Sequence, residues 1–259
     1  MIGNSFPVDY ARAFYEGQKQ AGQDKVVNLI RCGWPGIQKY GALLWSGDIA
    51  SSWSSFRDQL SAGLNVGLSG VPWWTTDIGV FHGGDPNDPE FRELFARWFQ
   101  WGAFCPVFRL HGDREPKQPR HGTTGGSHCL SGAANEVWSY GEEIYEICKT
   151  YLALREKLRD YVRELMHTAH VHGDPVMRPL FYDFPADEKA WRIDDQYMFG
   201  PKYLVTPILK AGQRERTVYF PQGSRWRQLG ADGNLGAKIL EGSLTIACPL
   251  NYMPVFEKQ

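Results

Sequence analysis

The chain has no apolar run approaching the roughly 18 residues that a membrane-spanning helix requires. It has no basic block, and its opening residues, MIGNSFPVDY, lack the basic and apolar regions of a secretory leader. Twenty-eight Lys and Arg stand against 29 Asp and Glu, for a net charge of -1 with both signs interspersed. That balance excludes nucleic acid and an anionic membrane as expected partners. Cysteine is scarce: Cys32, Cys105, Cys129, Cys148 and Cys248 form an odd, scattered set without CxxC spacing. A disulfide framework and a zinc site are excluded on that pattern, and the thiols are read as reduced. No internal repeat or low-complexity tract is present. No metal and no cofactor is expected, and the chain reads as soluble, with the cytoplasm the favoured compartment.

What is present is length and aromatic residues. The 259 residues suffice for one large α/β domain, or for a medium one with a small appendix. Aromatics make up 14% of the chain, with ten Trp. Flat apolar rings beside carboxylates hold sugar rings well, although several of these Trp are expected simply to fill a core.

The organising stretch runs from Leu44 to Phe81. Ala42 to Trp45 is a short apolar run that stops at Ser46-Gly47-Asp48, the pattern of a buried strand with polar residues at its exit. Ile49, Trp53, Phe56, Leu60 and Leu64 then recur at helical spacing, and Leu64, Val66, Leu68, Val71 and Trp73 form a glycine-interrupted run read as a strand, with Asp77 after it. Two strand exits thus carry acids, and in parallel α/β folds chemistry collects at the C-terminal ends of strands.

The same alternation extends outward. Tyr10 to Ala21 reads as a helix, and Val26 to Ile30 as a strand leading into Arg31. Pro89 to Trp101 is the next helix, and Phe104 to Leu110 a strand ending at His111. Four strand exits in this order predict parallel strands with right-handed crossovers, half of an eight-stranded barrel. Asp113 to Asn135 reads as a long polar rim loop, and Glu142 to His172 as one helix. Beyond Pro185 come short β-prone runs, Tyr203 to Ile208, Thr217 to Phe220 and Leu244 to Ala247, separated by turn signals. The fold class expected is therefore α/β, the C-terminal half of a (β/α)8 TIM barrel over residues 1–195. A small antiparallel β-sandwich domain over 196–259 follows it.

At the strand exits each residue has two readings. Asp48, among Trp45, Trp53 and a helix start, suits a general acid, because apolar rings disfavour the ionised carboxylate. Equally, it suits a cap on a helix beginning at Ile49. A retaining glycosidase needs such an acid with a second carboxylate about 5 to 5.5 Å away. Arg31 and His111 suit sugar hydroxyls or structural pairs. Asp77 binds substrate or, the favoured reading, braces Arg31. His121 and His128 lack a metal-ligand frame.

The string WSGDIASSWSSFRDQLSAGLNVGLSGVPWWTTDIGVF, preceded by Arg31 and followed by FRLHG at Phe108 to Gly112, resembles glycoside hydrolase family 31 over nearly the whole chain. The resemblance implies a retaining enzyme on a (β/α)8 barrel followed by β domains, acting on terminal α-linked xylose or glucose. It matches Asp48 to the catalytic acid/base and Arg31, Trp45, Phe81 and His111 to positions lining the sugar subsite. The α-xylosidase branch is nearest, through LLWSGD, PWWTTDIG and CPVFRLHGDREP.

Two departures accompany it. The family's nucleophile is an Asp on an earlier strand, and only Asp9 and Asp24 precede Asp48 here, neither in that motif. Val80 replaces the second glycine of the usual DIGGF, and a β-branched residue does not take a positive φ cheaply. The expectation is a C-terminal fragment whose nucleophile lies elsewhere, with an oligosaccharide substrate and with the missing N-terminal half or a second copy as partner. The rival is a non-catalytic carbohydrate-binding or structural remnant.

Overall fold

The computed structural model describes residues 3–79, 81–120, 122–124 and 130–259. Val80, His121, His128 and Cys129 lie outside the described residues.

Helix α1 (Phe6–Gln20) starts with Pro7 in its first turn, where a missing N–H costs nothing. Asp9 belongs to that turn and pairs with Arg12 at 2.9 Å. Strand β1 (Asn28–Ile30) runs parallel to β2 (Ala42–Trp45).

Helix α2 (Trp53–Leu68) departs from its sequence pattern at both ends. It does not begin at Ile49, and Asp48 is not its cap. Ser52 is the N-cap, accepting from the Ser55 N–H at 3.1 Å. Residues 49–51 are occupied otherwise, because the Ile49 carbonyl accepts from His82 N–H and the Ser51 N–H donates to the His82 carbonyl, each at 3.0 Å. At its far end α2 continues through Leu64 and Leu68, which the apolar run had assigned to a strand. Gly63, just before that run, and Gly67 within it are packing glycines, since a Cβ would lie 2.8 Å from the Trp74 ring at the first and 3.1 Å from the Pro175 side chain at the second. The glycines let the helix approach the sheet, and the strand that follows, β3 (Trp74–Thr75), is short and parallel to β2.

Helix α3 (Pro89–Gly102) is capped by Asp88, whose carboxylate accepts from Glu90 N–H at 3.0 Å, and buries Phe91, Leu94, Phe95, Trp98 and Phe99. The strand expected over Phe104 to Leu110 is only partly formed. Phe104 and Cys105 spend their N–H groups on turn bonds to Trp101 and Gly102, and Pro106 has none to give. What remains meets β3 through the Val107 N–H, which donates to the Trp74 carbonyl at 3.3 Å, and beyond β3 Ile78 bridges Leu110 in parallel, its N–H donating to the Arg109 carbonyl at 3.2 Å.

The expected rim loop carries a short antiparallel pair, β4 (Arg114–Gln118) and β5 (Ser131–Ala133). The single long helix is two, α4 (Glu142–Lys157) and α5 (Arg159–His172), jointed at Leu158. The joint lets α4 stay on α3 while α5 turns toward the β domain, where the Tyr161 hydroxyl donates to the Phe199 carbonyl at 2.9 Å.

The β domain opens with β6 (Met177–Pro179), followed by the short helix α6 (Leu180–Asp183). Then come β7 (Tyr197–Phe199), β8 (Tyr203–Val205), β9 (Glu215–Tyr219), β10 (Trp226–Leu229), β11 (Ser243–Ala247) and β12 (Val255–Lys258). An antiparallel sheet in the order β10-β12-β8-β7-β6 faces the β9–β11 pair across Leu180, Met198, Leu204, Val218, Phe220, Trp226 and Phe256. Strand β6 lies ahead of Gln196, near which the sequence places the boundary, and pairs with β7 beyond it. Arg97 of α3, wholly buried, locks the two parts together by donating to the carbonyls of Gln213, Cys248 and Tyr252. The four described cysteines are free, and only Cys32 is exposed. No helix among the described residues is long and apolar enough to cross a membrane.

Candidate active site

The site stands at the C-terminal ends of the parallel strands, where β1 delivers Arg31 and β2 delivers Asp48. Arg31 Nη1 lies 3.3 Å from Asp48 Oδ2, with Arg31 61% exposed and Asp48 29% exposed. A pair this open to water adds only about 0 to 1 kcal/mol to stability, so the fold does not depend on it. Gly47 permits the approach: its φ is +80°, and a Cβ would stand 3.3 Å from Arg31 Nε.

Asp77 is elsewhere in the sheet than the bracing reading put it. It is entirely buried, and its Oδ1 is taken by Arg109, not by Arg31. Burial pushes its pKa up, and the hydrogen bond and charge of Arg109 oppose that rise. The charges of His111 and Asp48 act on it as well, the first lowering and the second raising. Asp77, His111 and Asp48 therefore share one electrostatic field. The Arg109 guanidinium also stands 6.0 Å from the centroid of the Trp45 ring, so one cation joins the buried acid to the aromatic wall.

Phe81 faces His111, with ring centroids 5.4 Å apart at 31°. Its loop is stitched to the residues after Asp48 by the His82–Ile49 bond. The Asp113 N–H, donating to the Phe81 carbonyl at 2.8 Å, ties it to the residues after His111. The structure thus brings Arg31, Trp45, Asp48, Asp77, Phe81 and His111 to one rim. Sequence reasoning missed Arg109, although it lies two residues before His111 and so on the same side of an extended segment. Among the described residues no three His, Cys, Asp or Glu side chains gather as metal ligands.

An acid and a cation at neighbouring strand exits, walled by Trp and Phe, define a polar-ligand site on a partial β/α barrel. The comparisons with known proteins make this specific. Residues 1–165 match the TIM-barrel domain of glycosyl hydrolases family 31, and residues 173–259 match that family's C-terminal domain. The chain belongs to glycoside hydrolase family 31. It is 35% identical over 254 residues to an α-xylosidase of Saccharolobus solfataricus, covering 98% of this chain and 32% of that protein. An α-glucosidase of Bacillus thermoamyloliquefaciens is 34% identical, with 100% and 30% covered. Among solved structures, a family 31 α-xylosidase from a soil metagenome, complexed with xylose, superposes with a TM-score of 0.92 at 55% identity. That match covers 99% of this chain and 38% of the other. The chain spans about a third of the length of these relatives.

Proposed function

We propose that these residues form the C-terminal half of the catalytic barrel, with the following β domain, of a retaining α-glycosidase that releases terminal α-linked xylose or glucose from oligosaccharides. Asp48 is the acid/base. It protonates the departing glycosidic oxygen and later takes a proton from water, the two jobs of one carboxyl group in a retaining mechanism. Arg31 orients it and meets a sugar hydroxyl. Trp45, Phe81 and His111 line the sugar ring, and Asp77 acts on that subsite through Arg109.

The observation that carries this reading is the Arg31–Asp48 pair at adjacent strand exits, open to a rim walled by Trp45 and by Phe81 packed against His111. The nucleophile comes from outside these residues. Asp77 does not qualify, because one of its oxygens is bound to Arg109 and its side chain has no exposure. Asp9 is spent on Arg12 in the first turn of α1. Xylose is favoured over glucose by the relatives solved or described as α-xylosidases.

Aryl α-xylosides and α-glucosides test the reading. The 259-residue chain alone turns over neither, and a polypeptide that joins it to the earlier barrel strands of such a relative does. Hydrolysis by the chain alone, abolished by Asp48→Ala, would mean that a nucleophile lies within it.

A further inference from the structure

The rim includes one element whose placement is not explained by the residues that touch sugar in the reading above. Phe81 sits on a loop that carries Ile78 and Gly79 before it and His82 to Gly84 after it, and a loop is a poor support for a side chain that must meet a ligand accurately unless something fixes it. Two side chains donate to that loop's carbonyls. Ser51, just after Asp48, donates from its hydroxyl to the carbonyls of Gly79 and His82, at 3.3 and 2.8 Å. Arg114, wholly buried at the start of β4, donates from Nη2 to the Ile78 carbonyl at 3.4 Å and from Nη1 to the Gly83 carbonyl at 3.1 Å. The carbonyls that bracket Phe81 are thus held by one guanidinium.

Arg114 is itself held. Its Nε donates to Asn135 Oδ1 at 3.0 Å and to the Tyr140 hydroxyl at 2.9 Å, and the Tyr140 ring stacks on Phe95 at 3.7 Å and 11°. Its guanidinium carbon stands 5.0 Å from the centroid of the Phe91 ring. Phe91 and Phe95 belong to α3, so the clamp is anchored in the barrel wall. The loop hugs that wall closely enough to demand glycine at both ends. A Cβ at Gly79 would lie 2.6 Å from the Phe95 ring and 2.9 Å from Arg114, and one at Gly84 would lie 2.3 Å from Phe91.

We propose that Arg114 is a positioning residue: by holding the Ile78 and Gly83 carbonyls on either side of Phe81, it fixes the Phe81 ring against His111 and beside the segment that carries Asp48. Taken as an effect on turnover, this rests on the glycosidase reading. The planar fork is what the role needs. Two carbonyls five residues apart and a pair of acceptors behind them are served at once by Nη1, Nη2 and Nε in fixed geometry, which a lysine ammonium does not reproduce.

The experiment uses the joined polypeptide and two readouts, with Arg114→Met, Arg114→Lys, Phe81→Ala and the double variant Arg114→Met/Phe81→Ala. Hydrogen exchange comes first. The His82 and Asp113 amides are expected to lose at least tenfold protection in Arg114→Met, and part of that in Arg114→Lys, while amides of β7, β8 and β12 are unchanged. Uniform loss across both domains, or none at the loop, overturns the clamp. If Arg114→Met does not fold, the Arg114→Lys pattern decides by the same criterion.

Turnover is the second readout. Arg114→Met is expected to lower kcat/KM for an aryl α-xyloside on the order of 10- to 100-fold, the scale of a misplaced contact. In the Phe81→Ala background the same substitution is expected to cost under about threefold, because the group it positions is gone. Equal costs in both backgrounds overturn the link to Phe81. A parent with no turnover of any α-glycoside sinks the glycosidase reading instead, and the exchange pattern still decides the clamp.

Discussion

Arg31 Nη1 and Asp48 Oδ2, carried past the ends of two adjacent parallel strands, stand 3.3 Å apart across the open rim of the sheet. The register of β1 on β2 sets this distance, since Ile30 lies opposite Leu44 and each chain needs only a few more residues to reach the rim. A cation at that distance biases the Asp48 carboxylate toward one orientation while leaving it accessible.

Asp48→Ala in the joined polypeptide is expected to abolish hydrolysis of substrates with poor leaving groups, whose departing oxygen needs a proton in the transition state. Activated aryl leaving groups need it less, so their glycosylation step persists. Added azide then attacks the intermediate without base assistance and gives a glycosyl azide of retained configuration. Rates plotted against leaving-group pKa check this: equal slopes in parent and variant, with no azide product, would refute the acid/base role.

Arg109→Leu strands a buried carboxylate. Removing one partner of a buried pair costs about 3–5 kcal/mol, and the cost here depends on pH in a definite direction. Burial already raises the Asp77 pKa in the folded state, and Arg109 restrains that rise. Without Arg109 the folded state binds a proton at a pH where the unfolded chain does not, so stability at this group increases as pH falls through the raised folded value. It levels off below the ordinary carboxylate range near 4. Urea unfolding at about pH 7 and pH 5 is expected to show a smaller deficit at the lower pH. Asp77→Asn/Arg109→Leu is expected to erase that difference.

The isolated chain is expected to self-associate. Phe6, Tyr10 and Phe14 form an exposed aromatic stripe on α1, with successive ring centroids 6.0 and 4.7 Å apart, and Val27 just before β1 and Leu29 within it are exposed. The outer edge of β1 has no strand paired to it among the described residues. An open edge next to apolar surface recruits another chain or another segment. Sedimentation velocity is expected to show concentration-dependent species larger than 29.4 kDa. A sharp monomer boundary at all concentrations would count against the partial-barrel account.

Much of the architecture was legible in the sequence because periodicity reports burial, and burial is local along a strand or helix. The run Ala42 to Trp45 is β2 residue for residue. The alternation of apolar runs and amphipathic stretches gave the parallel order, and the turn-rich final third gave an antiparallel sheet. The strand exits likewise marked Arg31, Asp48 and His111 as candidates, and the long WSGD to DIGVF string carried the family.

Tertiary contacts decided the rest. The start of α2 shifted from Ile49 to Trp53 because residues 49–51 found hydrogen-bond partners in the loop around His82, more than 30 residues away in sequence. Leu64 to Leu68 read as strand from their apolar run, but they belong to α2, where Gly63 allows the helix a close approach to Trp74. Asp77 chose Arg109 over Arg31, and Arg114 was a charge in a polar stretch until the fold enclosed it beneath the Phe81 loop. A sequence records which residues are apolar and how often they recur. Which acid meets which base depends on strand register and loop path, and those are fixed only when distant segments satisfy one another's backbone groups.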